Sequence, residues 1–153
     1  MSMRADGLLF IFHGHLNNYN RNTDSIYSVD ILSEQPKVTC YPGFSTYQHL
    51  NNDDKKEIQN FRYLQRGCLP PALSGHAVYF INRTEAMIIG GQSYRKGDNE
   101  MFCRYRSPSQ PLSIFNTFTS EWRQVQLSDE HCQFLHRSNF GSVQVGSKIF
   151  VTG

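Results

Sequence analysis

The sequence lacks the features that define several classes of protein. None of its apolar runs approaches the roughly 18 residues that a membrane-spanning helix needs, so no membrane association is expected. The N-terminus has no basic region followed by a long apolar stretch, and a secretory signal is therefore not predicted. The formal net charge is only +2, which is too small to indicate a nucleic-acid or membrane partner by itself.

Cysteine is scarce and widely spaced. The four residues, Cys40, Cys68, Cys103 and Cys132, form no Cys-x-x-Cys pair, which argues against a zinc finger or a dithiol redox site. Without a secretory signal a disulfide framework is not expected either. We predict free thiols that are buried or half-buried, since free cysteine is among the most buried residue types.

Patterns that carry catalysis are also missing. No glycine-rich phosphate loop and no Gly-x-Ser-x-Gly motif occurs, and the Asp53–Asp54 pair is followed at once by two lysines, as in a solvated helix start. His13 and His15 have a spacing that could suit a metal, but no third ligand is evident nearby. The sequence therefore predicts no catalytic residues, no metal and no cofactor.

Aromatic residues, in contrast, are plentiful. The chain has 11 Phe, 8 Tyr and one Trp, within a composition of 39% hydrophobic and 18% charged residues that is typical of a soluble globular protein. Aromatic side chains favour strands. Short apolar and alternating runs separated by turn residues predict an all-β fold.

An apolar strand that ends in glycine occurs three times, at 8–14, 86–91 and 148–153, and such repetition indicates a repeat architecture. Glycine at a strand end permits positive φ and lets neighbouring backbones approach closely. The predicted structural repeat glycines are Gly14, Gly90, Gly91 and Gly153.

Further strands are expected around each of these units. They are predicted at 25–31 and 37–41 in the first copy, at 76–81, 112–116 and 122–127 in the second, and at 140–145 in the third. A full copy thus has four short strands, which is the content of one propeller blade.

Two insertions interrupt the repeat, at 43–69 and 92–110. The first has a predicted helix at 54–64, with a capping pattern at Asp54 and Glu57; a disordered loop is the alternative. The second carries four cations against two carboxylates.

The glycine pair, the following strand with tyrosine, the Gly75–His76 step and Trp122 resemble a Kelch repeat. The resemblance implies a partial Kelch β-propeller over residues 1–153. It would comprise about two blades and part of a third, of an expected six. The blade copies would cover about 7–42, 75–127 and 138–153. In such a fold Trp122 would pack between blades, and His76 would have a packing or hydrogen-bonding role.

A narrower resemblance is to the recombination-activating protein 2 family, the accessory subunits of the V(D)J recombinase and their transposon relatives. It rests on the strings at 12–15, 24–27, 70–76, 89–94, 138–143 and 148–153. The resemblance implies a non-catalytic nuclear subunit that binds a catalytic recombinase or transposase and helps hold DNA for V(D)J-type recombination. It implies no small-molecule substrate and no membrane partner.

The second insertion contains the best candidates for contact with DNA or with a partner, because arginines near tyrosines suit phosphate contacts and base stacking. These candidates are Tyr94, Arg95, Lys96, Arg104, Tyr105 and Arg106. A solvated basic loop is the alternative interpretation.

Two other functions stay open from the sequence. A generic Kelch module for protein–protein interaction, such as a substrate adaptor of a ubiquitin ligase, would share the same repeat. A secreted Kelch-type oxidase would need a copper site of Tyr, His and Cys residues, which this sequence does not assemble.

Overall fold

The structure is a computed structural model that describes residues 1–16, 21–43, 64–95, 104–106 and 111–153. In this part of the chain there are fourteen strands and one short helix, so the all-β prediction is confirmed. The described strands form four sheets, and they do not close into a barrel or a ring of blades.

The first sheet is an antiparallel meander of four strands. Its members, in order, are β1 (Ser2–Met3), β2 (Leu8–Leu16), β3 (Arg21–Asp30) and β4 (Val38–Tyr41). Alternation places Phe10, Phe12 and Ile26 on one buried face. The register shifts between Phe12 and Gly14, where a β-bulge bends β2.

The second sheet has the strand order β5-β12-β11-β8-β7. Its strands are β5 (Arg66–Gly67), β7 (Ala77–Phe80), β8 (Glu85–Ile89), β11 (Leu112–Asn116) and β12 (Glu121–Gln124). The last four form an antiparallel meander, whereas β5 pairs in parallel with β12. Residues 82–84 join β7 to β8, and the Asn82 side chain accepts hydrogen bonds from the Thr84 and Glu85 N–H groups.

A small third sheet was not expected from the sequence. It consists of β6 (Leu73–Ser74), β9 (Gln92–Arg95) and β10 (Arg104–Arg106), in the order β10-β9-β6. Two of its strands fall in the 92–110 insertion, so the interpretation of that segment as a loop is wrong for its described residues. Strand propensity did not predict this sheet, because its pairing depends on the register between separate strands and not on the local sequence pattern.

The chain continues through helix α1 (Asp129–Leu135) into a C-terminal hairpin of β13 (Gly141–Val145) and β14 (Lys148–Thr152). Ser128 caps the helix by accepting a hydrogen bond from the His131 N–H group. The sequence prediction missed this seven-residue helix. The helix predicted at 54–64 lies outside the described residues, apart from Leu64.

The core lies between the first and second sheets. Phe10 and Phe12 of the first sheet pack against rings of the second, with ring centroids 5.6 Å apart for Phe10–Phe80 and 5.8 Å apart for Phe12–Phe115. Both contacts have edge-to-face geometry, which is favourable for aromatic pairs. Aromatic residues therefore hold the two large sheets together.

The prediction of free thiols that are buried or half-buried is confirmed only in part. Cys40, Cys68 and Cys132 are free, but Cys40 and Cys68 are exposed and only Cys132 is buried. Burial was the wrong expectation for Cys40 because it faces away from the core on the edge strand β4. Cys103 lies outside the described residues. No helix in the described part of the chain is long and apolar enough to cross a membrane.

Candidate nucleic-acid interface and its supporting junctions

Gly90 and Gly91 form the junction between β8 and β9. Both have positive φ, +63° and +91°. The Gly90 N–H donates to the Pro111 carbonyl at 2.7 Å and the Gly91 N–H to the Arg137 carbonyl at 2.6 Å. A Cβ at Gly90 would lie 2.5 Å from the Arg137 oxygen, and one at Gly91 would lie 2.8 Å from the Cβ of His76. Because neither glycine has a Cβ, the segment that precedes the C-terminal hairpin can pass close to the end of β8.

The other two predicted repeat glycines have positive φ as well, but different surroundings. Gly14, with φ +144°, follows the bulge in β2, and a Cβ there would meet no atom within 4 Å. Gly153, with φ +116°, would bring a Cβ to 3.5 Å from Phe140, an ordinary contact. Of the four positions, only Gly90 and Gly91 combine positive φ with a close approach.

The strands β9 and β10 bring most of the predicted contact residues together. Arg104 lies opposite Arg95, Tyr105 opposite Tyr94 and Arg106 opposite Ser93. Residues that face each other in an antiparallel pair share one side of it, and successive residues alternate. Positions 95, 104 and 106 therefore occupy one face of this ribbon and positions 94 and 105 the other. Lys96 lies outside the described residues.

This register separates the arginine and tyrosine positions, which the sequence shows as interleaved. The register thus assigns the three arginine positions to one face of the ribbon, the cationic face, and the two tyrosine positions to the other.

Two histidines meet beside the glycine junction. The rings of His13 and His76 are 5.9 Å apart between centroids, and the Leu73 N–H donates to His13 Nδ1 at 3.3 Å. Burial lowers the pKa of His13 to about 3, helped by the neighbouring His76, and burial lowers the pKa of His76 to about 4. Both are neutral at pH 7, in agreement with the packing role expected for His76.

Gln65 is a key residue that the sequence analysis did not single out. Its buried amide donates to the carbonyls of Asp24 at 2.9 Å and Tyr41 at 2.6 Å, and accepts from Trp122 Nε1 at 2.6 Å. It thereby connects the first sheet to the second. Trp122 is 3% exposed and contacts the Phe12 and Phe115 rings, so it packs between two sheets.

In the described ranges no group of three or more His, Cys, Asp or Glu side chains is placed to hold a metal ion. His13 faces His76 there, and the side chain of His15 is outside the description.

No protein-family model matches the chain, and no curated protein matches it at a significant level.

Proposed function

We propose that the chain is part of a Kelch-type propeller of the recombination-activating protein 2 family. It would act in the nucleus as a non-catalytic accessory subunit, binding a catalytic recombinase or transposase subunit that carries out DNA cleavage and strand transfer. Residues 1–153 would supply about two blades and part of a third.

The observation that carries this proposal is the junction at Gly90–Gly91. A four-stranded meander, β7-β8-β11-β12, has a glycine pair directly after its second strand, and the connection to the next hairpin crosses that pair. Repeated sheets that contact only their neighbours are the organisation of propellers and solenoids. The meander contacts the first sheet through the Phe10–Phe80 and Phe12–Phe115 rings and the C-terminal hairpin through the Tyr79–Ser142 hydrogen bond, and such contacts between neighbouring sheets support the proposal.

The ribbon of β9 and β10 supports the DNA part of the proposal. It places Arg95, Arg104 and Arg106 at positions on one face of two paired strands. Arginine contacts to phosphate position a protein on DNA without reading its sequence. That is the contribution expected of a subunit that holds DNA for a partner's chemistry.

Co-purification with the catalytic recombinase subunit of the same organism tests the proposal. The full-length protein should retain that subunit at physiological salt. Changing Gly91 to Val should abolish retention together with the fold, whereas Gly146→Ala, where a Cβ meets no atom within 4 Å, should keep it. Recovery of a ubiquitin-ligase scaffold in place of the recombinase would contradict the proposal and favour the adaptor function.

A further inference from the structure

A cleft of about 280 Å³ opens where the buried face of the first sheet meets the turn between β11 and β12. One guanidinium and five hydroxyl groups account for most of its described lining: Arg4, Ser28, Thr39, Tyr41, Thr117 and Ser120. Leu8 and Phe118 complete it, and Phe118 is 70% exposed at the entrance. Among the described lining residues none is a carboxylate.

Arg4 is held rigidly beside this cleft. Its Nε and Nη2 donate to the two Asp6 oxygens at 2.9 and 2.6 Å, and its Nη1 donates to Thr117 Oγ1 at 2.8 Å. The guanidinium carbon lies 5.5 Å from the centre of the Phe10 ring. A guanidinium has five N–H groups, so one N–H on each terminal nitrogen is left without a partner in the described structure.

Asp6 does not itself enter the cleft. It lines a separate groove on the other side of Arg4, together with Ala5 and Arg83. The hydrogen bond from Arg4 lowers the pKa of Asp6, and the Arg4 pKa is raised chiefly by the same bond. The guanidinium therefore stays charged, and Arg4 lines the cleft as well as the groove that contains Asp6.

Two hydroxyls in the cleft are free to bind a ligand. Ser28 and Thr39 lie directly opposite each other on β3 and β4, and within the described residues neither hydroxyl makes a hydrogen bond. Ser28 is only 4% exposed. Thr117, by comparison, is already engaged, since its hydroxyl also donates to the Thr84 carbonyl at 3.0 Å.

We propose that this cleft binds a small tetrahedral oxyanion of the phosphate class. Arg4, Ser28 and Thr39 line one space and offer guanidinium and hydroxyl donors to it, and charge-assisted hydrogen bonds from arginine are the strong ones. The hydroxyls add donors without adding a competing negative charge. This site is separate from the β9–β10 ribbon and does not depend on the proposed DNA role.

Titration of the ¹⁵N-labelled full-length protein with inorganic phosphate, and in parallel with glycerol phosphate, tests the site by NMR. The amide signals of Ser28, Thr39 and Phe118 should shift in a saturable way. The double substitution Ser28→Ala with Thr39→Val should raise the Kd at least about tenfold, because it removes two bonds to a charged ligand. A tighter fit for one of the two compounds identifies free phosphate or an organic phosphate as the source.

The matched control is the pair Ser147→Ala with Thr152→Val on the C-terminal hairpin, which should leave the Kd unchanged. Thr39→Glu, which puts a carboxylate into the cleft while sparing the contacts of Arg4, should abolish binding without a change in thermal midpoint. Absence of a saturable shift for both compounds overturns the proposal. An unchanged Kd in the Ser28/Thr39 variant, when that variant is folded, overturns it equally.

Discussion

Trp122 Nε1 donates a 2.6 Å hydrogen bond to Gln65 Oε1 in the buried space between the two large sheets. The two residues are 57 positions apart, and Gln65 lies within the 43–69 insertion. Because the Gln65 amide also donates to two backbone carbonyls of the first sheet, one side chain satisfies polar groups of both sheets. Gln65 and its hydrogen-bond partners therefore form a polar cluster within the aromatic core between the sheets, and we call this cluster the lock.

The first prediction concerns this lock. Gln65→Ala should lower the free energy of unfolding by about 3 kcal/mol, since a buried N–H and two carbonyls lose their partner. Denaturant unfolding followed by Trp122 fluorescence measures the change. Gln35→Ala, at an exposed glutamine, is the matched control and should stay within about 0.5 kcal/mol. Equal losses in the two variants would refute the role of the lock.

The contacts of the lock could not be predicted from the sequence. Strand β11 was predicted at 112–116 and is found at Leu112–Asn116, because its apolar run and flanking turn residues are local signals. Gln65 gave no such signal, since its importance comes from partners far away in the chain. The separation of arginines and tyrosines on β9 and β10 was hidden for the same reason: it depends on register between two strands.

A second prediction concerns the glycine junction. Gly91→Ala should destabilise the protein by about 2–4 kcal/mol, from left-handed backbone strain of about 1–2 kcal/mol plus crowding against His76. Gly146→Ala separates these two causes. Its φ is +59°, but a Cβ there meets no atom within 4 Å, so it should show the backbone strain alone. Thermal unfolding of both variants checks the difference, and similar losses would mean that the close approach contributes nothing.

A third prediction follows from the histidine pair. The folded-state pKa values of His13 and His76, about 3 and 4, lie below the ordinary value of 6.5. The unfolded chain therefore binds more protons between those values, and stability falls as the pH drops below about 6.5. Each unit of pKa shift corresponds to 1.36 kcal/mol, so each histidine should cost roughly 2 kcal/mol at pH 5.

His76→Gln isolates one of these two contributions. The stability difference between pH 7 and pH 5, measured by urea unfolding, should shrink by about 2 kcal/mol in this variant. Gln35→Ala, at an exposed position, should keep the wild-type pH dependence. If the His76 variant kept the full acid loss, folding would not lower the pKa of His76.

The fourth prediction concerns the cationic face of the ribbon. Arg95, Arg104 and Arg106 changed together to Gln should weaken binding of duplex DNA by the assembled recombinase complex. Each lost phosphate contact reduces the slope of log Kobs against log salt by about 0.9, so the slope should become shallower by between about two and three. Fluorescence anisotropy over a salt series measures both quantities.

Loss of net charge alone could weaken DNA binding, wherever the charge is removed. A control variant must therefore lose the same charge at other positions. Changing Lys37, Arg83 and Lys148 to Gln removes the same three charges from exposed sites on other elements. Long-range attraction is screened within about 10 Å at 0.1 M salt, so this control should change the affinity slightly and the slope hardly at all. If both triple variants lose the same slope, the DNA responds to overall charge, and the ribbon has no special part in holding it. A loss confined to the ribbon variant, equal for unrelated duplex sequences, is what phosphate contact without base reading requires.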